Sequence, residues 1–137
     1  MKRLIGLLAL ILAACGQAAG LRIDDAHYRA PLVDGAPGVA YFSITSAAND
    51  RIVGISSPEA QSVEIHASST EGGMAAMQKL DQVELPAGKT VTFGPGGLHV
   101  MVFAPIPRQA NATFPIQITL ESGRTETISF TGETAAQ

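Results

Sequence analysis

His66, Met77, His99 and Met101 are the side chains of this sequence best suited to chemistry. Ten residues separate the first two, twenty-one separate Met77 from His99, and one lies between His99 and Met101. Neutral imidazole nitrogens and thioether sulfurs are the donors a soft, low-valent transition metal prefers, whereas magnesium or calcium would call for carboxylates and water. The set points to Cu(I). Apart from Met1, the methionines are Met74, Met77 and Met101, and two of the three histidines fall in the same window. Methionine used as adaptable core filler would be spread over other segments too.

The donor types also suit an oxidising compartment. A cysteine pair there could close to a disulfide and lose its ligands, which thioethers cannot do. Thioethers do not titrate, so only the two imidazoles must be neutral. Affinity should therefore weaken as pH falls through about 6.5, where an ordinary histidine takes up a proton. Neutral ligands also let an acceptor's donors enter and exchange one by one.

The elements that must position these residues read as short strands. Segments 39–45, 51–56, 62–66, 77–80, 90–93, 98–103, 114–120 and 125–130 are rich in β-branched and apolar residues, several with period two. Turn signals punctuate them at Gly35-Ala36-Pro37-Gly38, Gly72-Gly73, Pro86-Ala87-Gly88 and Gly94-Pro95-Gly96-Gly97. Pro115 places its segment at a sheet edge or a strand start. No stretch after residue 20 sustains a helical period. The pattern predicts an all-β protein, an antiparallel β-sandwich of about seven to nine strands. The polar tail 131–137 is expected to fray.

Alternation then orients the donors. In segment 62–66, Val63 and Ile65 face the core, so Glu64 and His66 face outward. In segment 98–103, Leu98, Val100 and Val102 take one face while His99 and Met101 share the other. The Gly72-Gly73 turn folds the chain back and brings Met77 near the strand of His66. If these segments lie side by side, four uncharged donors converge on an accessible rim.

The N-terminal residues 1–20 read as an export leader with a short linker, ahead of a single domain over 21–137. Lys2 and Arg3 precede a run of apolar residues from Leu4 to Leu12, too short for the roughly 20 residues of a membrane span. Leu12-Ala13-Ala14-Cys15 resembles the lipobox of bacterial lipoproteins, in which the cysteine is lipidated, and Gly16 resembles an outer-membrane sorting signal. The expected location is the periplasm or cell envelope. No cysteine follows Cys15, which excludes disulfides, zinc–thiolate sites and the thiolate of a blue-copper electron carrier from the rest of the chain. Net charge is −3, and about −5 without the two leader cations, which argues against nucleic acid and a polybasic membrane surface. Exposed aromatic platforms for single strands are also lacking.

The same four positions carry a resemblance. Together with Arg29-Ala30-Pro31, Ala40-Tyr41-Phe42, Ser56-Ser57-Pro58, Val63-Glu64-Ile65-His66, Glu71-Gly72-Gly73, Leu85-Pro86-Ala87-Gly88 and Pro95-Gly96-Gly97-Leu98-His99-Val100-Met101, their spacing resembles the PCu(A)C family of periplasmic copper chaperones. The resemblance implies a cupredoxin-like or immunoglobulin-like sandwich, expected as a monomer, that holds Cu(I) at an exposed site. It further implies delivery to the Cu(A) centre of cytochrome c oxidase, with subunit II or another assembly factor as acceptor. The sequence departs from the family where Ala67 and Ser68 stand in place of a common methionine and where His27 replaces a common tryptophan. It also lacks the Met- and His-rich tail tied to Cu(II) in some members.

Taken singly, an outward histidine is usually solvated and a methionine usually core. Met74 reads as hairpin packing or a spare thioether, His27 as structural or surface, and Glu64 and Glu71 as solvated. Ser68, Ser69 and Thr70 lie near His66, but no orienting third group or oxyanion hole is evident, so no enzyme is expected. The competing reading is a lipid-anchored sandwich that serves as an interaction or scaffold module without metal.

Overall fold

A computed structural model describes residues 20–109 and 111–133. Ten strands form in this order: β1 (Leu21–Arg29), β2 (Gly38–Ser46), β3 (Asp50–Ser56), β4 (Ala60–Glu71), β5 (Met74–Leu80), β6 (Val83–Leu85), β7 (Thr90–Phe93), β8 (Leu98–Pro105), β9 (Thr113–Leu120) and β10 (Thr125–Glu133). Among the described residues there is no helix. The fold is all-strand, with one more strand than the sequence reading allowed. β6 is three residues long, too short to display a period. β1 hides its period behind a bulge. The register slips between Asp24 and His27, with Asp25 at φ 54°, so the core-packed positions change from Leu21 and Ile23 to Ala26 and Tyr28.

Hydrogen bonding joins the strands in the order β5-β4-β8-β7-β2-β1-β10-β9-β3-β6. Most neighbours are antiparallel as expected, but β1 runs parallel to β10 and β7 runs parallel to β8. The β1–β10 pairing takes in residues assigned above to a frayed tail, because His27, Tyr28 and Arg29 register with Thr131, Gly132 and Glu133. Arg29 Nε donates to Glu133 at 2.8 Å across this pair. Pro115 belongs to an interior strand, close to its start, where pairing with β3 has already ended. Its carbonyl there accepts the Ser57 hydroxyl at 2.6 Å.

The sheet curves over so that strands not hydrogen-bonded to each other, such as β2 and β10, meet through buried side chains. Alternation fills that core: Ala40, Phe42 and Ile44 from β2, Val63 and Ile65 from β4, Val100 and Val102 from β8, and Phe114, Ile116, Ile118 and Leu120 from β9 are all buried. Phe42 stacks on Phe93 at 4.4 Å between ring centroids and meets Phe130 edge-on at 5.7 Å. Gly38 is required by Tyr28, whose phenol oxygen lies 2.5 Å from where a Cβ would sit.

Two local devices shape the region of the four donors. Gly72 and Gly73 both have positive φ, 59° and 79°, which is the two-residue hairpin geometry whose twist suits the flanking strands β4 and β5. Strands β7 and β8 lie one after the other along β2, pairing with Phe42–Thr45 and with Gly38–Ala40 respectively. The glycine-rich excursion 94–97 interrupts them and is closed by the Gly94 N–H donating to the Leu98 carbonyl at 2.8 Å.

Candidate metal centre

Strands β5, β4 and β8 lie side by side, and their register fixes which side chains share a face. His66 is directly opposite His99 and Glu64 is opposite Met101 across β4 and β8; Ser68 is opposite Met77 and His66 is opposite Lys79 across β4 and β5. With side chains alternating along each strand, His66, Met77, His99 and Met101 all fall on one face, the one turned away from Val63, Ile65, Val100 and Val102. Met77 and Met101 are each diagonal to His66, a relation of roughly 7–8 Å between backbones that long side chains span. The two imidazoles are 5.9 Å apart between ring centroids and tilted by 34°.

The face is not uniformly exposed. His99, on a strand flanked on both sides, is 6% exposed; the His66 side chain, one strand further out, is 15% exposed; Met77, on the edge strand, is 59% exposed. The expected open rim is therefore open at the sulfur of β5 and covered at the imidazole of β8.

Hydrogen bonds hold each imidazole by one nitrogen. His99 Nδ1 lies 3.0 Å from the Gly97 carbonyl, which can only accept, so Nδ1 carries the hydrogen and, in the neutral ring, Nε2 has the lone pair. The Gly97 carbonyl also accepts the Ser68 N–H at 3.0 Å, which pins the glycine excursion to β4. His66 Nε2 lies 2.9 Å from Glu64 Oε2, and Lys79 Nζ donates to the other oxygen, Oε1, at 3.1 Å. The hydrogen bond from His66 first, and that from Lys79 second, hold the Glu64 carboxyl below the ordinary carboxylate range. As a carboxylate it is an acceptor, so His66 Nε2 bears the hydrogen and, in the neutral ring, Nδ1 has the lone pair. That Nδ1 is buried and has no hydrogen-bond partner.

Among the described residues no group of three or more His, Cys, Asp or Glu is placed to hold a metal. The two histidines share their face with the thioethers of Met77 and Met101. Met74 faces the other way: it pairs with Glu71 beside the turn, three positions from Met77, and is 75% exposed, so it does not serve hairpin packing. His27 packs its ring 5.4 Å from Tyr41, and its Nδ1 lies 2.9 Å from the Asp25 carbonyl. Cys15 and the leader before Gly20 lie outside the described residues.

Sequence reasoning read Glu64 as solvated, where the structure engages it with His66 and Lys79, and it did not single out Lys79 or the Gly97 carbonyl. The i, i+2 spacing of Glu64 and His66 on an outward strand face could have signalled the first. The others depend on strand pairing and on the path of the backbone.

Comparison with known proteins places the chain among relatives. The LpqE-like family model, whose description is that of a lipoprotein family, matches residues 21–131. Protein Lxx21020 of Leifsonia xyli subsp. xyli, named as a lipoprotein, is 29% identical over 80 residues, which are 57% of this chain and 48% of that protein. The chain thus spans about half the length of that curated relative. A structure described as the copper-bound PCuAC domain from PmoF2 superposes with a TM-score of 0.69 at 24% identity, over 84% of this chain and 93% of that one. DR1885 from Deinococcus radiodurans is similar in its apo form, with TM-score 0.64 and 26% identity over 98% of this chain and 94% of that one. Its Cu(I) form gives TM-score 0.63 and 25% identity over 88% and 84%. The fold is that of the PCuAC β-sandwich domains, as the resemblance in sequence implied.

Proposed function

This chain belongs to the LpqE-like family, and from that premise we propose that it is a Cu(I) carrier of the cell envelope, with His66, Met77, His99 and Met101 as the copper ligands. The carrying observation is the pair of facing imidazoles. Each has one nitrogen engaged by an acceptor and the other without a hydrogen-bond partner among the described residues, on a face that also bears both methionines. The donors fit the cargo, since two neutral nitrogens and two thioethers suit monovalent copper and bring no negative charge to favour a harder ion. The copper-bound PmoF2 domain and Cu(I)-DR1885 add support from proteins of the same fold. Two of the neighbours are described in copper-bound forms, and among the described residues the imidazoles bond to Glu64 and the Gly97 carbonyl and not to a hydroxyl, so the chain is read as a carrier and not as an enzyme.

Delivery proceeds by ligand exchange. Cu(I) neither gains nor loses an electron; the acceptor's donors replace those of the carrier one at a time. The acceptor class we favour is the Cu(A) site of cytochrome c oxidase subunit II or a factor that assembles it, on the strength of the family resemblance. The leader and a lipidated Cys15 would hold the carrier at the envelope, in keeping with the lipoprotein description of the family and of its relative.

Titration against a chromogenic Cu(I) competitor tests the site. The full chain with Cys15→Ser, which removes the competing thiol, is expected to take up one equivalent. Met77→Ala and Met101→Ala are each expected to weaken retention by about tenfold or more, a loss of about 1.4 kcal/mol. Undiminished retention in both variants, or no stoichiometric copper at all, would overturn the reading and favour the metal-free scaffold. Mass spectrometry of the mature N-terminus decides whether Cys15 is lipidated.

A further inference from the structure

The two histidines are held in opposite senses, and this reaches beyond naming them as ligands. On β8 the glycine excursion supplies a backbone acceptor to His99 Nδ1; on β4 a side chain two residues away supplies one to His66 Nε2. We propose that Glu64 is a positioning residue that fixes His66 in the Nε2–H form, so that copper is bound through Nδ1 of His66 and Nε2 of His99.

The inference deepens the copper reading and rests on it for the metal, though not for the imidazole forms. Two observations and one general property of ligating imidazoles carry it. The His66 Nδ1 atom is buried without a partner, an arrangement a protein tolerates where a ligand completes the group. Glu64 is itself held from the opposite side by Lys79 on β5, so the acceptor is tied to both strands that carry outer donors of the set. A carboxylate accepting from the far nitrogen of a ligating imidazole raises its basicity and fixes its orientation, which is worth about 10–100-fold in metal affinity. At His99 the acceptor is backbone, so no side-chain substitution can remove it. Glu64 is the point where the asymmetry can be tested.

The experiment is long-range proton–nitrogen correlation NMR on the full chain with Cys15→Ser and 15N-labelled histidine, at mildly alkaline pH, without metal and with one equivalent of Cu(I). Without metal, His66 is expected as the Nε2–H form and His99 as the Nδ1–H form. On adding Cu(I), the nitrogens that move are expected to be Nδ1 of His66 and Nε2 of His99, while their ring partners keep their hydrogens. Glu64→Ala should leave His66 as a mixture of both forms, keep His99 unchanged, and weaken Cu(I) by about 10–100-fold. Glu64→Gln, whose amide oxygen can still accept, should restore much of the single form.

Copper uptake with both imidazoles coordinated through Nε2 would overturn this inference and leave the carrier reading standing. So would a Glu64→Ala variant in which His66 keeps its single form. The stated metal-free forms without copper uptake would remove the carrier reading and uphold the positioning role of Glu64.

Discussion

At the scale of single residues, position on the sheet decides what each polar group is worth. The Lys79–Glu64 ion pair joins a lysine side chain 55% exposed to a glutamate 26% exposed. Exposed pairs of this kind contribute little because water and salt screen them and two long side chains must be ordered. Lys79→Ala is therefore expected to shift folding stability by less than about 1 kcal/mol in thermal melting. The bond from His66 to Glu64 would persist and keep the carboxylate in place. That His66, Met77, His99 and Met101 share one face was legible from the sequence, because period-two alternation assigns a face to each residue without knowledge of the fold, while their choice as a set owed most to the family resemblance. The Gly97 carbonyl was not, since a backbone acceptor leaves no trace in side-chain types and its aim depends on the path of the excursion 94–97.

At the scale of elements, the strands that kept strict alternation were readable and those that broke it were not. β2 and β9 present every second residue to the core, so both could be placed from the sequence. β1 could not, because the bulge near Asp25 exchanges its inward and outward positions midway. Tertiary polar contacts also escaped notice. Asp50 at the start of β3 reaches across to the β9–β10 turn, where its Oδ2 accepts the Ser122 hydroxyl at 2.6 Å. Its Oδ1 accepts the backbone N–H groups of Arg51 and Ser122. The Ser122 hydroxyl foremost, and then those N–H groups, hold the Asp50 carboxyl below its ordinary range. A carboxyl depressed in the folded state stabilises that state at pH above its unfolded value, and the contribution is lost as pH falls through the folded value. Acid should thus loosen this turn. Melting temperatures followed from neutral to acid pH should fall less steeply for Asp50→Asn than for the parent chain, and parallel curves would contradict the assignment.

At the scale of the whole molecule, the core joins strands that do not hydrogen-bond to one another as well as those that do. Phe42 of β2 touches Phe93 of β7 and Phe130 of β10, so it ties together three strands. Phe42→Ala should cost about 3–5 kcal/mol in denaturant unfolding, in the range for removing a buried aromatic ring. A loss below about 1 kcal/mol would mean the ring is not a joint of the core. That two neighbour pairs run parallel could not be read in advance, since alternation is blind to strand direction and the β1–β10 contact joins the two ends of the sheet's sequence. If copper binds these residues as proposed, the decline in cover from β8 through β4 to the edge strand β5 also sets an order of events for the ion. A competing thiol or thioether in solution meets the sulfur of Met77 before either nitrogen, so cargo should be unloaded from the margin inward, with the most shielded bond broken last.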